Sequence, residues 1–390
     1  MSRAAGRRHL LGEHLDEFAA FCADRELPIY RAKQVFEWVY QKGVTDFHAM
    51  TSLPVGLRRQ LAGEWVIFRS SITRQRESTD GTVKLLLEWP DGATSECVLI
   101  PDGPRRTACI SSQVGCPVRC AFCASGVDGL QRQLTAGEIV EQAMRIRALC
   151  APRPGGGGSA VRRPVPPVEE SQFLTNVVFM GLGEPLANYG AVIRAIRIMN
   201  AEWGMHVGAR RMTVSTVGLP RQMHRLASED MQVNLAVSLH APNDDLRVRL
   251  IPWAARTPMA DLVAAGRQFF DATGREVTIE YILLAGVNDS VGQARELAGL
   301  CRQMRCNVNV IRYNPVPGLD FVRPTSTTTQ RFVQQLRSLG VNAHVRKSRG
   351  LDIEAACGQL RRAAAPPAVG EPGTEKCEVT GGTERLSIQS

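Results

Sequence analysis

The chain has 390 residues, 44% hydrophobic and 22% charged, which excludes a disordered polymer and leaves room for two or three domains with a large core. No apolar run reaches the ~18 residues of a membrane span, and the basic start Met1–Arg8 leads into an acidic helical pattern without an apolar signal core, so a cytoplasmic protein with no membrane partner is expected. The net charge of +9 points to a polyanionic partner, because neutralising phosphates releases condensed counterions.

Residues 1–64 predict a small N-terminal helical domain. Leu15, Phe18, Phe21 and Cys22 fall at helical spacing, Val35, Phe36, Val39 and Tyr40 repeat it, and Pro28, Gly43 and Pro54 punctuate the segment. Its basic and aromatic residues Arg31, Lys33, Trp38, Tyr40, Lys42, Arg58 and Arg59 form a candidate RNA contact, set against the plainer reading of solvated charges over core aromatics. Residues 65–101 change to a short antiparallel β extension. Val66–Phe68, Val83–Trp89 and Glu96–Ile100 read as strands, with turns at Asp80-Gly81 and Pro90-Asp-Gly92.

From 102 to 362 strands and helices alternate. Strands are expected at Ala108–Ser112, Asn176–Met180, Arg211–Ser215, Gln232–Ser238, Val277–Leu283, Val308–Tyr313 and Ala343–Arg346. Helices are expected from the capping box Thr135-Ala-Gly-Glu138 to Leu149, and at Tyr189–Met199, Ala260–Ala272 and Ser290–Gln303. Repeated βα units call for a parallel sheet with right-handed crossovers. The first strand is not followed by a Gly-x-Gly-x-x-Gly turn, which argues against a dinucleotide domain. An α/β fold with a partial (βα)6 barrel fits better, with chemistry at the C-terminal ends of its strands. The Gly- and Pro-rich stretch at about 151–168 reads as a disordered insertion, and 363–390 as a disordered tail.

The loop Cys116-Pro-Val-Arg-Cys120-Ala-Phe-Cys123 aims three thiols at a common centre. A structural zinc site wants a fourth ligand, and no cysteine or histidine follows at zinc spacing. An iron–sulfur cluster held by three thiolates keeps one iron open to a small molecule. Three buried structural cysteines and a zinc knuckle are the plainer alternatives. Downstream strand ends carry Gly183-Glu184, Ser215, Ser238-Leu239-His240 and Asn314. Each is ordinary turn chemistry alone; together they suggest a polar ligand pocket in which the glycines let backbone approach a ligand and Glu184 receives a cationic amino group. Cys109 lies seven residues before Cys116, and Cys357 stands far away after the last strand. The odd total of eleven cysteines suits metal binding and catalysis in a reducing compartment better than a disulfide framework.

These motifs resemble the RlmN/Cfr family of radical S-adenosylmethionine (SAM) RNA methyltransferases. The resemblance runs from about Leu11 to Leu360 and rests on Cys109–Cys116, the three-cysteine loop, Met180–Pro185, Ser238–Asp244, Gly286–Asp289 and Ala355–Leu360. It implies that Cys116, Cys120 and Cys123 hold a [4Fe–4S] cluster whose open iron binds SAM. Gly183, Glu184, Ser215, Ser238, Leu239, His240 and Asn314 match SAM-contacting positions. Cys357 matches a cysteine that is first methylated by one SAM; the 5′-deoxyadenosyl radical from a second SAM then takes a hydrogen from that methyl group, and the carbon adds to adenine. Cys109 matches the thiol that releases the product through a transient disulfide, and Glu96 a proton acceptor. The implied product is 2-methyladenosine in 23S rRNA and in tRNA next to the anticodon, with a flavodoxin- or ferredoxin-like electron donor as partner. Methylation of C8 of the same rRNA adenine, as in the Cfr branch, is the nearest alternative. A non-catalytic RNA-binding protein with a metal knuckle is the alternative of another class.

Overall fold

Helix-spaced apolar residues build α1 (Leu15–Ala23), α2 (Tyr30–Phe36), which runs on through a π turn at Glu37–Gln41, and α3 (Val55–Glu64). The structure is a computed structural model that describes residues 6–150 and 174–361. The expected insertion and tail lie outside the described residues. Aromatic rings lock the helices together: Trp65 meets Phe18 and Phe21 edge-on at 5.1 and 5.0 Å. Trp203, from beyond the helical segment, packs against Phe36 and Tyr40 at 5.2 and 6.2 Å. Tyr40 is wholly buried and drops out of the candidate RNA contact, because its spacing with Phe36 places it on the core face. Lys42 lies 4.1 Å above the half-buried Trp38 ring.

The connecting segment differs from expectation in two places. Trp65–Val66 (β2) pairs in parallel with Arg8–His9 (β1) and stays out of the main sheet. The antiparallel partner expected from Val66–Phe68 is instead β3 (Ser71–Glu77), which is exposed along its whole length and therefore lacks the alternation that reveals a half-buried strand. It pairs with β4 (Val83–Glu88), then β5 (Thr94–Asp102) and β6 (Arg105–Cys109).

At β6 the same sheet turns parallel. After the hairpin of β7 (Gln113–Gly115) and β8 (Leu130–Gln133), the chain runs α4 (Ala136–Cys150), β9 (Asn176–Phe179), α5 (Tyr189–Asn200), β10 (Met212–Thr216) and α6 (Pro220–Ala227). It continues through β11 (Asn234–Ser238), α7 (Asp244–Leu250), α8 (Met259–Thr273), β12 (Val277–Leu283), α9 (Val291–Cys301), β13 (Cys306–Arg312), α10 (Ser326–Ser338) and β14 (Ala343–Arg346). The ten strands lie in the order β14-β13-β12-β11-β10-β9-β6-β5-β4-β3. Parallel neighbours are consecutive βα units, as in a barrel and unlike a doubly wound sheet, and the sheet stays open between β14 and β3. Six βα units plus β14 make the expected partial barrel.

Strand alternation sorts the two faces. Val214, Leu235, Val237, Ile279, Tyr281, Val308 and Val310 are buried in the main core. On the opposite face Ser215, Ser238, Glu280 and Arg346 line one cleft. Glu141 of α4 joins the helical segment to the sheet. Its fully buried carboxylate accepts from Arg69 N (2.8 Å), Ser70 N (2.9 Å), Ser70 Oγ (2.5 Å) and Arg145 Nε (3.1 Å), and His9 Nε2 stands 3.4 Å away.

Candidate active site

The β7–β8 hairpin carries the three cysteines in its turn. Gly115 permits the hairpin: its φ is +78°, and a Cβ there would fall 2.0 Å from Gly129 O. Backbone bonds Cys116 N to Gly129 O (3.1 Å), Ala121 N to Leu250 O (2.9 Å) and Ala124 N to Gly358 O (2.8 Å) fix the loop against the barrel and against the segment bearing Cys357. Cys116, Cys120 and Cys123 all line one cleft. Burial pushes Cys116 up to about 12 and raises Cys120 and Cys123, and the neighbouring thiols add to the rise. Three thiols are thus gathered where burial disfavours thiolate charge and only Arg247, near Cys120, stands against it among the described residues, so a metal centre would supply the missing positive charge. Among the described residues no three ligating side chains converge on a single-ion point. A cubane cluster offers each thiolate its own iron and needs no such convergence; the all-sulfur donor set fits it better than a lone ion.

The whole cleft, about 830 Å³ with its mouth open to solvent, is walled elsewhere by the strand ends. Glu184 is almost fully buried; Oε1 accepts from Leu186 N at 3.0 Å and Oε2 from Val217 N at 2.8 Å. Burial pushes its carboxyl up to about 7, because the nearby donors are neutral amides and the Thr216 hydroxyl, and no cation of the described residues is close. Gly183 has φ +105° and presses against Gln113, whose Oε1 accepts from Glu184 N at 2.7 Å. Ser215 and Ser238 stand with hydroxyls 3.4 Å apart. His240 adopts φ +59°, and its Nδ1 accepts from Ile282 N at 3.0 Å. Burial, with Arg247 nearby, pushes its pKa down to about 3, so the ring is a neutral acceptor.

A second cleft of about 1220 Å³ adjoins the first. Cys109 and Asn314 line it, while Cys357, Arg346, Met180 and Ile311 line both clefts. Cys357 therefore stands on the wall between the three-thiol loop and Cys109. Burial, then the proximity of Cys357, pushes the Cys109 thiol up to about 12, and Arg346 opposes the rise. Asn314 Nδ2 donates to Cys357 O at 3.0 Å, and Ser348 Oγ donates to Asn314 Oδ1 at 2.7 Å.

Of the sequence-expected residues, Cys116, Cys120, Cys123, Gly183, Glu184, Ser215, Ser238, His240 and Cys357 share the first cleft, whereas Cys109 and Asn314 lie in the second. Leu239 lines neither and meets the sheet through its backbone, N to Glu280 O at 3.1 Å. Glu96 lines neither; Lys84 Nζ stands 3.0 Å from its Oε1, and Arg361 N donates to Oε2 at 2.9 Å. Sequence reasoning passed over Lys84, Glu280 and Arg346. Lys84 and Glu280 each carried a signal, a lone charge inside an apolar strand.

Residues 8–67 match the family model for the ribosomal RNA large subunit methyltransferase N-terminal domain. The chain is 42% identical over 356 residues to a probable dual-specificity RNA methyltransferase RlmN from Rhodopirellula baltica, covering 91% of each chain. With the protein of that name from Thermosynechococcus vestitus it shares 44% over 354 residues, covering 91% of this chain and 98% of the relative. The crystal structure of a radical SAM methyltransferase from Sphaerobacter thermophilus matches with a TM-score of 0.84 at 46% identity, over 90% of this chain and 99% of that one.

Proposed function

The chain belongs to the RlmN family of radical SAM RNA methyltransferases, and we propose that it forms 2-methyladenosine in 23S rRNA and in tRNA next to the anticodon, with Cys357 as methyl carrier. It is a SAM-dependent RNA methyltransferase, which sets aside the non-catalytic metal knuckle. The observation that carries the finer reading is the position of Cys357 on the wall shared by the two clefts.

Cys116, Cys120 and Cys123 would hold a [4Fe–4S] cluster, which supplies the electron for reductive cleavage of SAM. Glu184 receives the SAM amino group: a carboxyl raised by burial gains most from an arriving cation. Gly183, Ser215, Ser238 and His240 bound the SAM pocket, and Leu239 holds the turn between the last two through its backbone bond to Glu280 O. Asn314 links this pocket to the methyl carrier through the Cys357 carbonyl.

The adenine C–H is too weak an acid and nucleophile for ordinary methyl transfer from SAM. Cys357 sulfur takes a methyl group from one SAM by displacement and releases its proton. Loss of a hydrogen atom from that methyl group to the deoxyadenosyl radical of a second SAM leaves a carbon radical that adds to the adenine ring. Holding carbon and base in one cleft makes the addition effectively local. The adduct radical gives up its ring proton and one electron, which the cluster would take back. The Cys109 thiolate then attacks Cys357 sulfur, the S–C bond breaks, and the released methylene carbon takes a proton to become the methyl group. The disulfide is reopened by an external thiol reductant. Glu96, its pKa raised by burial against the pull of Lys84, is assigned as proton acceptor. The target base must leave its stack to reach the cleft, so a loop of structured RNA is the natural substrate. A flavodoxin- or ferredoxin-like protein would deliver the electron, and the cytoplasm is where these partners meet.

Anaerobic incubation with rRNA fragments and tRNA, followed by mass spectrometry of the nucleosides, tests this reading. Formation of 2-methyladenosine supports it. Formation of 8-methyladenosine alone assigns the chain to the Cfr type of chemistry, and an absence of methylated adenine overturns it.

A further inference from the structure

Glu280 and Arg346, where the two clefts meet, have no part in the roles assigned above. Glu280 is 4% exposed and lines the first cleft, while Arg346 lines both. Glu280 Oε1 accepts from Asn309 Nδ2 at 3.0 Å, and Asn309 itself lines the second cleft. Oε2 has no hydrogen-bond partner among the described residues; the nearest guanidinium nitrogen of Arg346 is 3.8 Å away. That guanidinium group in turn donates to a thioether, Met180 Sδ, at 3.5 Å, and stands near the Cys357 and Cys109 thiols. A buried carboxylate oxygen without a donor is costly, and in native proteins such groups are met by a partner.

The two side chains therefore present an unsatisfied acceptor beside a donor on the path to Cys357. A base edge that answers this pair must offer an N–H donor beside a ring-nitrogen acceptor. Adenine does so with its exocyclic amine and the adjacent nitrogen, whereas guanine sets a carbonyl oxygen at the same place. We infer that Glu280 reads the exocyclic amine of the target adenine, with Arg346 donating to the neighbouring ring nitrogen. The inference rests on the adenine-methylating function proposed above and adds to it the source of base specificity. SAM also carries an adenine and ribose hydroxyls, and β12 pairs Glu280 with Ser238. The second cleft is favoured because Asn309 and Arg346, which flank the carboxylate, both open there beside Cys109 and Cys357.

The test compares RNA carrying adenosine or purine riboside, which lacks the amine, at the target position. Wild-type enzyme should methylate the adenosine RNA about 10- to 100-fold more efficiently, the range for a hydrogen bond to a charged group. The same-sized variant Glu280→Gln should lose that preference, while methylation of Cys357 by SAM without RNA stays within about twofold in rate and in KM for SAM. An equal preference in both proteins overturns the inference, since the amine then acts through ring chemistry and not through Glu280. A raised KM for SAM in the RNA-free step also overturns it and makes Glu280 a SAM contact. Failure of wild-type enzyme to methylate Cys357 at all removes the functional reading first, and this inference with it.

Discussion

Lys84 and Glu96 meet as a buried ion pair beneath the segment that carries Cys357, with Nζ 3.0 Å from Oε1 and both side chains under 10% exposed. Lys84 Nζ also donates to Glu354 O at 2.9 Å, and Glu96 Oε2 accepts from Arg361 N at 2.9 Å. The pair thus pins the segment three residues before Cys357 and four residues after it. Lys84→Met strands the buried carboxylate and should destabilise the protein by about 3–5 kcal/mol, less whatever protonation of Glu96 recovers. Denaturant unfolding measures that loss. The freed segment should also make Cys357 react faster with iodoacetamide; an unchanged alkylation rate would argue that the pair does not hold the carrier.

In the proposed reaction Cys109 and Cys357 act at different steps, so their variants should fail differently. Cys357→Ala removes the carrier and should abolish methyl transfer while leaving the iron content unchanged. Cys109→Ala should still load and transfer the carbon, but release stalls and a covalent protein–RNA adduct accumulates. A band of combined mass on denaturing gels reports it. Full turnover by either variant contradicts its assigned role.

Gly183→Ala should damage SAM binding with little effect on the rest of the barrel. Its φ of +105° is strained for any residue with a Cβ, and the added carbon would fall 2.6 Å from Gln113 Cβ. The backbone must shift, at a cost of about 1–3 kcal/mol, and it carries Glu184 with it. Isothermal titration with SAM should show weakened binding; unaltered affinity would show that the loop yields elsewhere.

Glu141 should make the junction between helical segment and barrel acid-sensitive. Burial pushes its carboxyl up, but the bonds from His9, Ser70 and Arg69 outweigh burial and hold its pKa below the usual value. A depressed carboxyl stabilises the fold above the unfolded pKa, and that contribution fades as pH falls through the folded pKa. Glu141→Gln should therefore cost about 1.5–3 kcal/mol at neutral pH, with the gap to wild type closing below about pH 4. A gap independent of pH would show that the charge contributes nothing.

Much of this architecture was legible because period-2 and period-3.6 patterns survive wherever an element has one buried face. The strand at Val277–Leu283 and the helix at Tyr189–Asn200 both lie within one residue of expectation. Exposed β3 has no such face and was missed. The hairpin around the cysteine loop is held by Gly115 and by backbone contacts that leave little trace in sequence. Thiol spacing singled out the three-cysteine loop, and the structure places all three thiols on the wall of one cleft. What stayed hidden were groups that act through partners distant in sequence. Lys84 finds Glu354 across 270 residues, and Glu280 takes its meaning from Arg346 on β14. Asn314 likewise has its amide bonded to the Cys357 backbone, 43 residues away.

The central claim, that the transferred carbon passes through Cys357, is tested most directly with SAM bearing a trideuterated methyl group. If the methyl on Cys357 first loses a hydrogen atom to the deoxyadenosyl radical, one deuterium must leave before the carbon reaches adenine. Mass spectrometry should then find two deuteriums in the methyl group of the product nucleoside and the third in 5′-deoxyadenosine. A product retaining all three would mean direct transfer from SAM and would contradict the account.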